Sequence, residues 1–118
     1  MRNDNLQFKR LTEKRDALVN RLSAYRHILR GTIIQRGNIC GKAGCRCKKK
    51  EHPLLHGPYR YLSHRSRQAA SMIFLNKIKL SYASRGVRQY RELIELVYQI
   101  SEINFKILRH HYARLPNE

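Results

Sequence analysis

Four side chains stand out as able to do chemistry together: Cys40, Cys45, Cys47 and His56. Their spacing is Cys-x4-Cys-x-Cys-x8-His, and the chain has no other cysteine. Three thiolates and an imidazole make a closed tetrahedral donor set, which suits a structural Zn2+ site. Gly41 and Gly44 lie between the first two ligands, where so short a loop must turn. His52 competes with His56 for the fourth position. His56 is preferred, because Gly57-Pro58 after it fixes its direction while Pro53 crowds His52. An odd number of clustered cysteines in a reducing compartment points to metal before disulfide. The plant-type iron–sulfur spacing has a longer second gap and a fourth cysteine, and this chain has neither.

Nothing in the sequence composes a catalytic set. A catalytic zinc keeps an open position, whereas four protein ligands are on offer here. Glu51 is the one acidic residue near the cysteines, so a carboxylate-bound two-metal nuclease site is not expected. Neither a P-loop nor a dinucleotide fingerprint occurs. His110 and His111 are adjacent, so on a helix they point about 100° apart and do not share a ligand. The expectation is a protein that is not an enzyme.

The charge is unusual. Twenty-five Lys and Arg against eight Asp and Glu give +17 on 118 residues, beyond what solubility needs. Residues 30–70 alone carry ten basic groups and one acidic group. Such a surface attracts polyanions and releases their counterions. Lys42, Arg46, Lys48, Lys49, Lys50, Arg60, Arg65 and Arg67 are therefore expected to contact nucleic acid, RNA or DNA. Tyr59 and Tyr61 flank Arg60 in a pattern that suits base stacking when exposed. Taken alone, two such tyrosines fit a small core better.

These residues must be positioned by the elements around them. Residues 5–30 read as a helix, with Leu11, Leu18, Leu22, Tyr25 and Leu29 on a narrow coiled-coil-like seam. Asp4 or Asn5 is placed to cap its start, and Gly31 to end it. Residues 31–37 form a β-rich run. Residues 59–64 alternate as a strand, with Tyr59, Tyr61 and Ser63 on one side and Arg60, Leu62 and His64 on the other. Residues 65–68 form a turn, and 70–75 the antiparallel partner. From residue 76 to 114 a helical stripe returns: Tyr90, Leu93, Ile94, Val97, Ile100, Ile103, Ile107 and Leu108. Gly86 lowers helix propensity by about 1 kcal/mol relative to alanine and marks a kink or break.

The fold expected is mainly α with a small β/zinc head. An antiparallel helical hairpin, coiled-coil-like, flanks a short antiparallel sheet and a Cys3His metal loop. Residues 1–118 form one domain: helix 5–30, basic β/zinc head 31–75, long helix 76–114. The head is too small to hold itself by burial alone, so metal binding serves as folding energy. No apolar run is long enough to span a membrane, and the N-terminus lacks a secretory pattern. The expected setting is cytoplasmic.

CGKAGCRC followed by HGPYRYLS resembles the signature of an uncharacterised bacterial family, C-G-K-x-G-C-x-C … H-G-P-Y-x-Y-L-S between two helical segments. The resemblance covers roughly residues 28–110. It implies that Cys40, Cys45, Cys47 and His56 are metal ligands, and it implies proximity to mobile genetic elements. Members often carry a Gly-Gly-Lys turn after the Y-L-S strand, where this chain has Arg65-Ser66-Arg67-Gln68.

The functional expectation is a non-catalytic, zinc-stabilised nucleic-acid-binding accessory protein. It would be a subunit of a larger nucleoprotein complex associated with mobile elements. The alternative is a coiled-coil adaptor docking on a recombinase, transposase or other protein, or on its own copy, with the zinc purely structural. Leu18, Leu22, Val97 and Ile100 would form that protein interface.

Overall fold

The structure, a computed structural model, describes residues 2–110, with side chains from residue 5 onward. Helix α1 (Arg2–Asn20) runs into a 3-10 turn (Arg21–Ala24). Strand β1 (Thr32–Asn38), a second 3-10 turn (Arg46–Lys48), β2 (His56–Arg65), β3 (Ala70–Leu75) and helix α2 (Lys77–His110) follow. Residues 111–114, given to the second helix by the sequence, and Pro116 lie outside the described residues. The chain divides into two compact units. One comprises the chain up to His27 and from Gln89 onward; the other is Ile28–Arg88.

The first unit is a helix pair. On α1 and the turn after it, Phe8, Leu11, Arg15, Leu18, Leu22 and Tyr25 are half-buried, at spacings of three and four. On α2 the covered stripe is Leu93, Leu96, Ile100, Ile103 and Ile107, with the same spacing. That repeat keeps one face against a partner helix. Leu96 is its tightest point at 2% exposure. The partners run antiparallel. The His27 amide donates to Gln89 Oε1 at 3.2 Å, Arg21 and Tyr25 line a depression with residues 91–99, and Val19 and Leu22 line a groove with residues 97–108.

Two expectations for the first helix are corrected. It already runs through Asp4 and Asn5, so neither caps it. It also stops short of residue 30: the α-helical part ends at Asn20 and the 3-10 turn at Ala24. Asn20 and Ser23 are weak helix formers that compete for backbone groups, and the Ser23 hydroxyl donates to the Asn20 carbonyl at 3.3 Å. Residues after Tyr25 have other work. The Leu29 amide donates to the carbonyl of Gly86 at 3.0 Å, and Leu29 packs against the core of the second unit.

That second unit is a three-stranded antiparallel sheet, order β1-β2-β3, with residues 77–88 of α2. Ile33 pairs with Leu62, and Leu62 with Ile73. Side chains alternate across a strand, so Ile33, Leu62 and Leu75 share one face. There they join Leu80, Ala83, Val87 and Leu29 in the core. Helix α2 starts on a cap, because Asn76 Oδ1 accepts the Lys79 amide at 2.8 Å. Gly86 causes no break in α2. It is buried, and with no side chain in the way its carbonyl is open to the Leu29 amide, so the 28–30 segment comes close to the helix backbone. Gly31 ends no helix either. A Cβ there would lie 2.9 Å from the Ser63 carbonyl oxygen, so the residue serves close approach of β1 to β2.

Candidate functional site

The cysteine loop hangs between β1 and β2. The register shifts between Arg36 and Asn38, and Asn38 pairs with His56. Between the Arg36–Tyr59 and Asn38–His56 pairs β1 has one residue, Gly37, and β2 has two, Gly57 and Pro58, so β2 carries a bulge opposite Gly37, one pair before the ladder ends and the loop begins. Leu55 fills the space a Gly37 side chain would need, with its Cβ 2.7 Å from an ideal Cβ. Cys40 thus leaves the end of one strand while His56 opens the next. Between them, Cys45 precedes the Arg46–Lys48 turn and Cys47 lies within it. The Leu54 amide donates to the Arg46 carbonyl at 3.1 Å, tying the return of the loop to that turn. Gly44 at φ 75° and Gly57 at φ 102° adopt the left-handed backbone that favours glycine.

The four ligand atoms lie within 4.8 Å of one another. Cys45 Sγ is 3.2 Å from His56 Nε2, and Cys47 Sγ is 3.7 Å from Cys40 Sγ. A tetrahedron with metal–sulfur bonds of about 2.3 Å has sulfur–sulfur edges of about 3.8 Å. The donor set fits an ion of that size and preference. Cys47 is 1% exposed, the deepest side chain of the second unit. His52, the competing histidine, is not in the cluster; it sits at φ 50° in the loop.

The thiols respond to this crowding. Cys45 is held down to about 6, first by the backbone amide of Cys47, then by the Cys40, His56 and Cys47 side chains. Cys47 is pulled down most by the Cys40 amide, which donates to its sulfur at 3.3 Å. Its burial and the neighbouring Cys45 and Cys40 sulfurs outweigh that and leave its pKa raised. Thiols packed this closely resist joint ionisation, and a cation between them removes the conflict.

The expected nucleic-acid residues are distributed over several places. Lys42, Arg46, Lys48, Lys49 and Lys50 are exposed on the cysteine loop, and Arg67 is exposed in the β2–β3 turn. That turn is closed by the Ser66 amide donating to the Ala69 carbonyl at 3.0 Å. Tyr59, Tyr61 and Arg65 share one sheet face; Arg60 lies on the other, with Leu62. The expectation that the tyrosines fill a core is corrected. They occupy the face opposite to Leu62, because the strand alternates and the core takes the Leu62 side. Tyr59 is 37% exposed. Tyr61 is half-buried, and its hydroxyl accepts from Asn38 Nδ2 at 2.6 Å. Three residues of this face escaped sequence reasoning: Arg36, Met72 and Phe74. The register supplies them, since Arg36 pairs with Tyr59, Phe74 with Tyr61 and Met72 with Ser63.

In the helical unit Leu18, Leu22 and Ile100 are half-buried, while Val97 is exposed. Leu22, Val97 and Ile100 line an open groove of about 460 Å3 with Val19, Phe105 and Leu108. His110 is exposed in the last turn of α2, and His111 lies outside the described residues. Among the described residues no helix is long and apolar enough to cross a membrane.

A short antiparallel sheet bearing a Cys3His cluster, bracketed in sequence by two helices, is the class that the geometry defines. The chain matches the domain of unknown function DUF6788 over residues 8–69, more than half its length, and belongs to that family. The matched span runs from α1 to the β2–β3 turn, and so begins earlier and ends earlier than the resemblance carried by the cysteine and HGPY motifs. No curated protein and no solved structure matches the chain.

Proposed function

We propose that this protein is a non-catalytic nucleic-acid-binding accessory protein whose head is stabilised by Zn2+ on Cys40, Cys45, Cys47 and His56. The observation that carries the reading is the one-sided charge of the head. Eight of its basic side chains, from Lys42 to Arg67, are exposed, against the single acid Glu51 among residues 30–70. A surface of that kind binds phosphate backbones through counterion release. Four protein ligands complete a tetrahedral zinc, which makes the metal structural rather than catalytic. The reading places the protein in the reducing cytoplasm, within a larger nucleoprotein complex associated with mobile elements.

The test is a salt titration of oligonucleotide binding. Reversal of Lys48, Lys49 and Lys50 to Glu is expected to weaken binding at least tenfold. It should also flatten the plot of log affinity against log salt by roughly 0.7–0.9 for each phosphate that is no longer neutralised. Unchanged affinity in the reversed variant contradicts the reading.

The groove of the helical unit favours a second reading, an adaptor that docks a protein partner or a second copy on its helices. Val97, Phe105 and Leu108 are 48%, 53% and 60% exposed there, and exposed apolar stripes of this kind mark protein-binding surfaces. Val97→Asp with Leu108→Asp, both at exposed positions of the groove, should abolish such docking while leaving nucleic-acid binding intact.

A further inference from the structure

The sheet face opposite the core carries three aromatic rings, Tyr59, Tyr61 and Phe74, of which Tyr59 and Phe74 are exposed. Tyr59 and Phe74 have ring centroids 6.0 Å apart, and Tyr61 and Phe74 5.8 Å. The rings meet at 71° and 65°, edge to face, and so do not stack on one another. The core lies on the other face, around Leu62 and Leu75. Tyr59, Met72 and Phe74 keep 37%, 40% and 50% of their surface open. Packing in the core of this unit gives no reason for Tyr59 and Phe74 to stand on that face.

Their surroundings are positive. Arg36 pairs across the ladder with Tyr59, and Arg65 lies further along β2 on the same face. None of the three strands contains an Asp or Glu. Tyr61 is fixed by its hydrogen bond from Asn38, so part of the platform is rigid before any ligand arrives.

We infer that this face is a stacking platform for a single-stranded polynucleotide. Bases would lie on the rings of Tyr59, Tyr61 and Phe74, with Arg36 and Arg65 on the phosphates. The inference rests on the nucleic-acid reading above and narrows it to unpaired strands. A duplex keeps its base faces inside its own stack, and a flat sheet cannot reach them. A single strand offers every base face, and aromatic rings bind it without regard to sequence. A second copy of this chain is a poorer occupant, because a face-to-face dimer sets Arg36 and Arg65 of two +17 chains together.

The test measures affinity for fluorescein-labelled oligo(dU), oligo(rU) and a mixed-sequence DNA duplex, using the full metal-loaded chain at one fixed salt. Wild type is expected to bind a single strand at least tenfold more tightly than the duplex. The dU and rU arms tell whether a 2′-hydroxyl adds to that. Phe74→Ala and Tyr59→Ala are each expected to weaken single-strand binding about 5- to 100-fold. Their duplex affinity and salt slope should stay as in wild type, and Phe74→Tyr should restore single-strand binding. Photocrosslinking of wild type to 5-iodouridine oligonucleotides needs no variant; it should label the strand peptides at Tyr59, Tyr61 or Phe74. Ring variants that bind single strands like wild type, or crosslinks confined to the lysine loop, overturn the inference and leave the nucleic-acid reading standing. Wild type that binds neither strand nor duplex overturns both.

Discussion

The two units are held together in different ways. In the helical unit five α2 side chains, Leu93, Leu96, Ile100, Ile103 and Ile107, repeat along one covered stripe. Each fully buried Leu or Ile contributes about 1.5–3 kcal/mol, so burial alone gives that unit a continuous seam. The sheet unit has a core of Leu62, Leu75, Ala83 and Val87, two of them large and two small. Its other deep residue, Cys47, is a candidate ligand. The sheet unit also carries most of the surplus charge, and repulsion among exposed lysines and arginines works against a small fold. A unit with little core and much charge needs another source of stability, and the Cys3His cluster lies in the long connection from β1 to β2. The labour is divided: an apolar seam holds the helices, and in the proposed reading a metal on the Cys3His cluster holds the basic head.

Metal removal is expected to separate the two units most sharply. Chelation, or Cys47→Ser, should cost the head an amount on the order of 10 kcal/mol. Hydrogen exchange should then show weakened protection in β1–β3 and retained protection around Leu96 to Ile107. Uniform weakening in both units would contradict the division. Next in size is Leu96→Ala, which should destabilise the helical unit by about 2–5 kcal/mol. Urea unfolding followed by helix signal checks it, and metal content should not change.

Acid gives a smaller, graded effect. The Cys45 thiol is lowered from the ordinary 9.0 to about 6 in the folded head. Between those values the unfolded chain holds the proton and the folded head does not. The Cys45 contribution to the head's stability therefore rises with pH across that window, is fully present above it, and is lost as pH falls through about 6. Unfolding midpoints recorded across the window should climb for wild type and lose this slope in Cys45→Ser. The smallest effect expected is at the start of α2. Asn76→Ala removes the cap on Lys79 and should cost about 1 kcal/mol, with Asn76→Asp close to wild type. Thermal unfolding of the two variants separates them.

Much of this architecture was legible in the residue pattern. The Cys3His cluster was readable because cysteines are rare in this chain and their spacing is local. β3 was readable at both ends, since Ser66, Gln68 and Asn76 bracket a short apolar run. Long-range effects were not. The apolar period that carried the first helix to residue 30 is real, but Leu29 serves a different core, and only its hydrogen bond to Gly86 and its packing there show it. Leu96 was hidden between Ile94 and Val97, which are equally apolar, and only packing tells which of the three is covered. The aromatic platform needed the register. Tyr59 and Tyr61 were visible, whereas Arg36 and Phe74 join them only when three strands are aligned.

In the function proposed, a metal builds the head and the head binds the polynucleotide. The most direct measurement is single-strand affinity of the same protein before and after zinc removal, with helix content followed alongside. One zinc per chain is expected, with binding that disappears with the metal and returns when zinc is restored, while the helices persist. Full binding by a zinc-free protein with its helices intact would contradict it.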